Sequence, residues 1–433
     1  MYYVTSKMVE QNRTKRSRLL LLFGALMAAL LAAEIVSYVL LSIGWDGTPD
    51  RQEILARLHG EREAEQFTLP GEGERVSANV LHPYFGFAAD RGANPDVNHY
   101  GFFAPEPPLG DDPAVLDIAI MGGSLAQYFR FAQGSLIARL HETMPEEKRV
   151  IRLHNLALKG GKQPQQVMIL AYLLAQGHTF DMVVNLDGFN EATLPLVENL
   201  PYGVALSFPR NWRTQAQRGY DPHMTRDVGR LQQLYEKRAR WRHRFERWGL
   251  PYLNTSLLIW QRLDRRQQGK IDEAQADLLE NLAGRERSFQ TSGPAKQYDN
   301  DRSALQAAVT KWRNGSRQLE RLCRANGIKY LHLLQPNQYY ADSKPLSAEE
   351  KEKAYNLAFP YAQPAARAYP LLVEAGRALA AEGVDFHDFT RIFADHPETI
   401  YTDVCCHVNV AGNEILAAQM AEVIAASLTA PAR

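Results

Sequence analysis

VLDIAIMGGS, residues 115–124, carries the decisive pattern. Its first seven residues hold one charge, Asp117, and are otherwise apolar. A run that short, stopped by Gly122-Gly123-Ser124, reads as a buried strand ending in a tight turn. A helix-like stretch follows at 133–143. The next strand is VIRLHNL at 150–156, ending near Gly160-Gly161, with an apolar helix after it at 167–176. MVVNL at 182–186 is the third strand and stops at Asp187-Gly188-Phe189-Asn190. Downstream, 328–334 (IKYLHLL) and 384–389 repeat the signal. Between them Ser347 and Glu350 form a capping box that opens a helix. Leu416, Met420, Val423 and Ile424 mark a final amphipathic helix.

Strands alternating with helices mean an α/β domain, a parallel sheet with helices on both faces. Chemistry in such sheets gathers where loops leave the carboxyl ends of the strands. The alternation fails at about 206–305, which reads as a helical, charged insert. There YEKRARWRHRFERW occupies 235–248, and Leu231, Leu234, Trp241, Phe245 and Trp248 recur at helical steps, giving one apolar face. The plain reading is a helix packed on the domain with its arginines in water. The alternative is a basic aromatic helix resting on anionic glycan or lipid headgroups.

The amino-terminal end is of another kind. Residues 1–18 carry five basic side chains against Glu10 alone, a net +4. The whole chain of 433 residues has 49 basic and 49 acidic side chains, so the rest sums to −4. Overall neutrality argues against nucleic acid as a partner, because phosphate binding needs a surplus of Lys and Arg. Residues 19–44 are apolar except for Glu34, longer than the roughly 20 residues a spanning helix needs. A cleavable signal peptide fits the run to Ala33, but the run resumes beyond Glu34 and exceeds a signal core. One transmembrane anchor is therefore expected, with the bilayer as a partner. Lys and Arg stay inside, while Asp46 and Asp50 follow the far end. This places residues 1–18 in the cytoplasm, 19–44 in the inner membrane, and the rest in the periplasm or outside. Residues 45–80, with EREAE at 61–65 and GEGE at 71–74, read as a juxtamembrane helix and linker to a domain at 81–433. No membrane-protein partner is identified. Cys323, Cys405 and Cys406 are too few for a disulfide framework but leave room for one bridge from Cys323 to either neighbour. No Cys/His spacing supports a metal site.

Strand ends and the last loop offer Ser124, Gly160, Asn190 and His407, in that order. Each alone has an ordinary reading: a turn serine, a turn glycine, a helix cap, a surface histidine. Together they resemble the SGNH (GDSL-like) hydrolase superfamily. IAIMGGSLA at 118–126 is similar to the first block, with Gly123 where aspartate is commonest. Asn155-Leu-Ala-Leu-Lys-Gly160 matches the second and NLDGFNEA, with Gly188 and Asn190, the third. TDVCCHVNVAGNEILA supplies Asp403 and His407 for the last, four residues apart where the family has three. HPYFGF at 82–87 and NHYGF at 98–102 look like the entry segment of membrane-anchored bacterial members.

The resemblance implies a flavodoxin-like parallel sheet and a serine nucleophile at Ser124, with no cofactor and no metal. His407 would be the base and Asp403 its orienting acid, with Asp388 or Asp395 as substitutes. The amides of Ser124 and Gly160 and the side chain of Asn190 would form the oxyanion hole. The activity implied is an acyl or acetyl esterase working outside the membrane on an ester-bearing envelope or exported glycan. A polysaccharide O-acyltransferase of the same fold and a catalytically silent glycan-binding or assembly protein are the alternatives.

Overall fold

The computed structural model describes residues 2–43, 51, 54–55, 79–92, 94–217, 222–283, 289–294 and 296–430. Nearly all of the expected linker at 45–80, with Asp46, Asp50 and both acidic stretches, lies outside them. The chain divides into two compact units: residues 1–62 with 231–275, and residues 63–230 with 276–433.

The larger unit opens with an antiparallel ribbon of β1 (Asn79–His82) and β2 (Gly86–Ala89). Five apolar runs then form one parallel sheet. They are β3 (Val115–Gly122), β4 (Val150–Asn155), β5 (Met182–Asp187), β6 (Lys329–Leu334) and β7 (Asp385–Asp388), in spatial order β4-β3-β5-β6-β7. The expected flavodoxin-like order is present, with the switch of direction beside β3.

Alternation along each strand divides the core. Ala119, Met121 and Val183 face one cluster, while Ile118, Ile120, Met182, Val184 and Leu186 face the other. A strand pointing apolar side chains both ways needs a helical layer on each side. In chain order the helices are α1 (Tyr2–Ser42), α2 (Ser124–Tyr128), α3 (Gln133–Thr143), α4 (Gln165–Ala175) and α5 (Phe189–Leu194). Then come α6 (Trp212–Gln217), α7 (Pro222–Arg247), α8 (Asn254–Ala283), α9 (Phe289–Ser292) and α10 (Asp301–Ala325). The last are α11 (Ala348–Lys353), α12 (Ala362–Ala381) and α13 (Val410–Thr429). Helices α4, α10 and α12 pack together over one face, and α3 with α13 over the other. On α10 the buried Leu305, Ala308, Trp312, Ser316, Leu319 and Cys323 recur every three to four residues, as a core-facing stripe requires.

In the smaller unit, α1 contains a 20-residue apolar stretch, Phe23–Ser42, long enough to cross a membrane. The arms of α7 and α8 lie side by side, joined by Arg238–Asp264 and by Gln275 donating to the Tyr235 hydroxyl at 2.7 Å. The expected stripe on α7 is corrected here in two ways. Trp248 is 72% exposed, and Arg238, paired with Asp264 on α8, and Arg242 are buried, not turned to water. An arginine paired with a carboxylate fills an interhelical position that periodicity of apolar residues does not register.

Candidate active site

Ser124 is the first residue of α2, set there by the turn that ends β3. Its Oγ lies 2.9 Å from Nε2 of His407, brought in by the loop before α13. On the far side of the imidazole, Nδ1 is hydrogen-bonded to Asp403 Oδ2. The other Asp403 oxygen accepts the amides of Cys405, Cys406 and His407 at 2.9, 3.1 and 3.3 Å. The four-residue spacing is thus absorbed by a loop wrapped round the carboxylate. An isolated bridge, Tyr401 to Val408, and Thr402 N donating to His407 O at 3.0 Å pinch that loop at its base. All three side chains are buried. Asp388 caps the Thr390 amide at 2.9 Å and is exposed, as is Asp395, so Asp403 is the carboxylate that meets the His407 ring.

Burial opposes a charge on His407, but the Asp403 carboxylate outweighs it, helped by Cys406, and lifts the imidazole to about 9. Burial likewise disfavours the Asp403 carboxylate, yet His407 and the loop amides hold it below its usual range. The Tyr128 ring stands edge-on to His407, centroids 4.9 Å apart.

Asn190 projects from α5, one turn after β5. Its Nδ2 donates to Gly161 O at 2.8 Å, which uses one of its two hydrogens. The same nitrogen sits 2.3 Å from where a Cβ on residue 123 would be. The lack of a side chain at Gly123 therefore has a packing reason: the Asn190 amide fills that space. Gly160 has φ +73°, and a Cβ there would fall 2.1 Å from Arg210 Cδ. Glu191 ties the two turns together, accepting from Gln163 N at 2.9 Å and Gly188 N at 3.0 Å. Burial and the nearby Asp187 raise its carboxyl to about 8.

Several contributors lie outside the sequence expectation. Arg210, seated on Gly160, donates from Nε to Glu198 at 3.0 Å, and the Tyr361 hydroxyl donates to the same carboxylate at 2.6 Å. Behind Asn190, Asp187 accepts from Trp312 Nε1 at 2.6 Å and pairs with His332 at 2.9 Å. The loop after β6 fastens the histidine loop. Asn337 donates to Cys405 O at 3.0 Å, Gln338 to Asp403 O at 2.9 Å, and the Tyr339 hydroxyl to Val404 O at 2.8 Å. The signal for these was present: Gln335, Asn337 and Gln338 directly follow an apolar strand, where polar residues are otherwise out of place.

The cysteines correct one expectation. All three are free and buried, Cys323 on α10 and the adjacent pair with sulfurs 3.5 Å apart, so no bridge links them. Donor atoms of Cys405, Cys406 and His407 fall within 4.8 Å of one another, a spacing that would suit a metal ion. Both ring nitrogens are already engaged by Ser124 and Asp403, which reduces that donor set to two thiols.

The sequence matches no family model and no curated protein. Among solved structures it is similar to the acetylxylan esterase Axe2 from Geobacillus stearothermophilus. The identity is 12% and the TM-score 0.32, over 71% of this chain and 94% of that one.

Proposed function

We propose that the protein is a serine-dependent ester hydrolase. One observation carries the reading: Ser124 Oγ, His407 and Asp403 form a continuous hydrogen-bonded chain across the end of a parallel sheet. A serine hydroxyl is a weak nucleophile until a neighbouring base takes its proton, and this chain supplies both base and orienting acid. Ser124 Oγ attacks the ester carbonyl as its proton passes to His407 Nε2. The tetrahedral oxyanion is held by the amides of Ser124 and Gly160 and the free hydrogen of Asn190 Nδ2. Collapse expels the alcohol, which leaves with the proton from His407. Water then attacks the acyl-enzyme by the same route and releases the acid.

The substrate class follows from topology. With α1 as an anchor and residues 1–18 in the cytoplasm, the α/β unit faces outward, where ester-bearing envelope or exported glycans are the acylated molecules at hand. An acyl or acetyl group on such a glycan is the proposed target. If a sugar hydroxyl replaces water in the second step, the same site performs O-acyl transfer.

The experiment is fluorophosphonate labelling of the full-length protein, followed by assay on an acetylated oligosaccharide. Labelling is expected in the wild type and not in Ser124→Ala, with acetate released into water. Acetate appearing on an acceptor sugar instead would assign the transferase reaction. A folded wild-type protein that takes no label would overturn the enzyme reading in favour of a silent glycan-binding protein.

A further inference from the structure

We propose that the turn between α7 and α8 is a second membrane element, dipping into the outer half of the bilayer beside α1. The inference rests on the reading of α1 as a spanning helix. Glu34 lies within its apolar stretch, eight residues before Ser42, or about 12 Å along the axis. Measured the other way, about 30 Å of hydrocarbon counted from Leu19 ends near Tyr38, still about 6 Å beyond Glu34. Whatever touches Glu34 is therefore at that depth.

The start of α8 touches it. One Glu34 oxygen accepts from the Asn254 backbone amide and, at 2.9 Å, from its side chain. The other accepts from Thr255 N at 3.0 Å and Thr255 Oγ1 at 2.9 Å. Ser37, one turn on, donates to Thr255 Oγ1 at 3.1 Å. Each side answers a need of the other. An acid inside a membrane needs partners, and the unpaired amides that open a helix cannot be left bare in hydrocarbon. Leu41 packs with Phe245, Leu257 and Trp260, which extends the contact towards the outer end of the span.

What the turn shows to its surroundings suits lipid. Trp248 is 72% exposed and Tyr252 82%, with Leu253, Ile259 and Leu263 also bare. These side chains lie on the same short stretch as the Glu34 contacts. Above them on α7, Lys237, Arg240, Arg244 and Arg247 are exposed, while Arg238 and Arg242 are buried and take no part. Arg247 closes α7 beside the turn, and Arg244 and Arg240 follow about one and two helical turns higher. An apolar tip under an arginine collar matches acyl chains beneath anionic headgroups, with Arg247 reaching upward along its stem.

The experiment uses the full-length protein in nanodiscs of phosphatidylcholine and phosphatidylglycerol. An environment-sensitive fluorophore is placed by Trp248→Cys or Tyr252→Cys, by Lys270→Cys far along α8, and by Leu26→Cys in the span. The native thiols are buried and do not compete. Labels at 248 and 252 should be quenched several-fold more by spin-labelled lipid tails than by aqueous iodide, and the label at 270 the reverse. Adding Glu34→Ala should weaken lipid quenching at 252 and leave it unchanged at 26. Iodide access at 248 and 252 equal to that at 270 would overturn the proposal. So would shielding from both quenchers, which would mean a protein covers the tip. If the label at 26 also met iodide, the span itself would have been misread.

Discussion

A methyl group on residue 123 would be enough to test the oxyanion assignment. The Asn190 amide stands where that methyl would go and is tethered by Gly161 O, so it cannot retreat without leaving the site. Gly123→Ala should lower kcat by about 100-fold or more, the usual cost of one lost oxyanion donor, with little change in KM. A kcat unchanged in a variant that melts normally would remove Asn190 from the hole. His407, lifted to about 9, must be neutral to act as base, so kcat/KM should climb with pH to a plateau above about 9. Asp403→Asn should move that midpoint down while depressing kcat. The same shift bears on stability. A histidine whose folded value exceeds its unfolded 6.5 stabilises fully below about 6.5 and loses that contribution as pH rises through 9. Thermal melts of the wild type should show this alkaline loss, and His407→Ala should lack it. Ser124, Gly160, Asn190 and His407 could be singled out as candidates because each sits where a strand or loop pattern ends. Arg210, Glu198 and Tyr361 were not, because a buried salt bridge and its tyrosine come from segments with no local pattern of their own.

At the scale of elements, the histidine loop is held by its neighbours as well as by its own hydrogen bonds. Asn337 donates into it at Cys405 O, and Glu350 on α11 accepts the Ile400 and Tyr401 amides, both at 2.9 Å. Glu350 also takes Lys344 Nζ at 2.8 Å and Ser347 N at 2.8 Å, and the Glu350–Lys344 pair is buried. Removing one partner of such a pair strands the other charge, so Glu350→Ala should cost about 3–5 kcal/mol in a chemical melt. Asn337→Ala should cost about 1–3 kcal/mol for the orphaned carbonyl and lower kcat more than it raises KM, marking a positioning role. A KM effect alone would refute that role. The five strands were legible within a residue or two because short apolar runs closed by glycine, proline or polar residues leave few alternatives. The α7 stripe failed at Trp248, because helical spacing of apolar residues does not say how far along the helix the neighbouring helix covers them.

For the whole molecule, the span and its charge flank predict behaviour that fractionation can read. The full chain should stay with membranes through alkaline carbonate washing and keep residues 1–33 attached. A mature protein beginning just after Ala33 would make the segment a signal peptide. A reporter fused after Arg433 should be active outside the cytoplasm, and activity inside would reverse the orientation. The two halves of the hydrogen-bonded chain are also remote along the polypeptide, with 283 positions separating Ser124 from His407. Helix α13, which follows the histidine loop, docks on α3, which follows the serine. Under the proposed orientation, a chain threaded outward from an anchored amino end would expose Ser124 long before His407 emerged. A partly exported chain that lacks residues 403–407 would then carry the proposed nucleophile without its base.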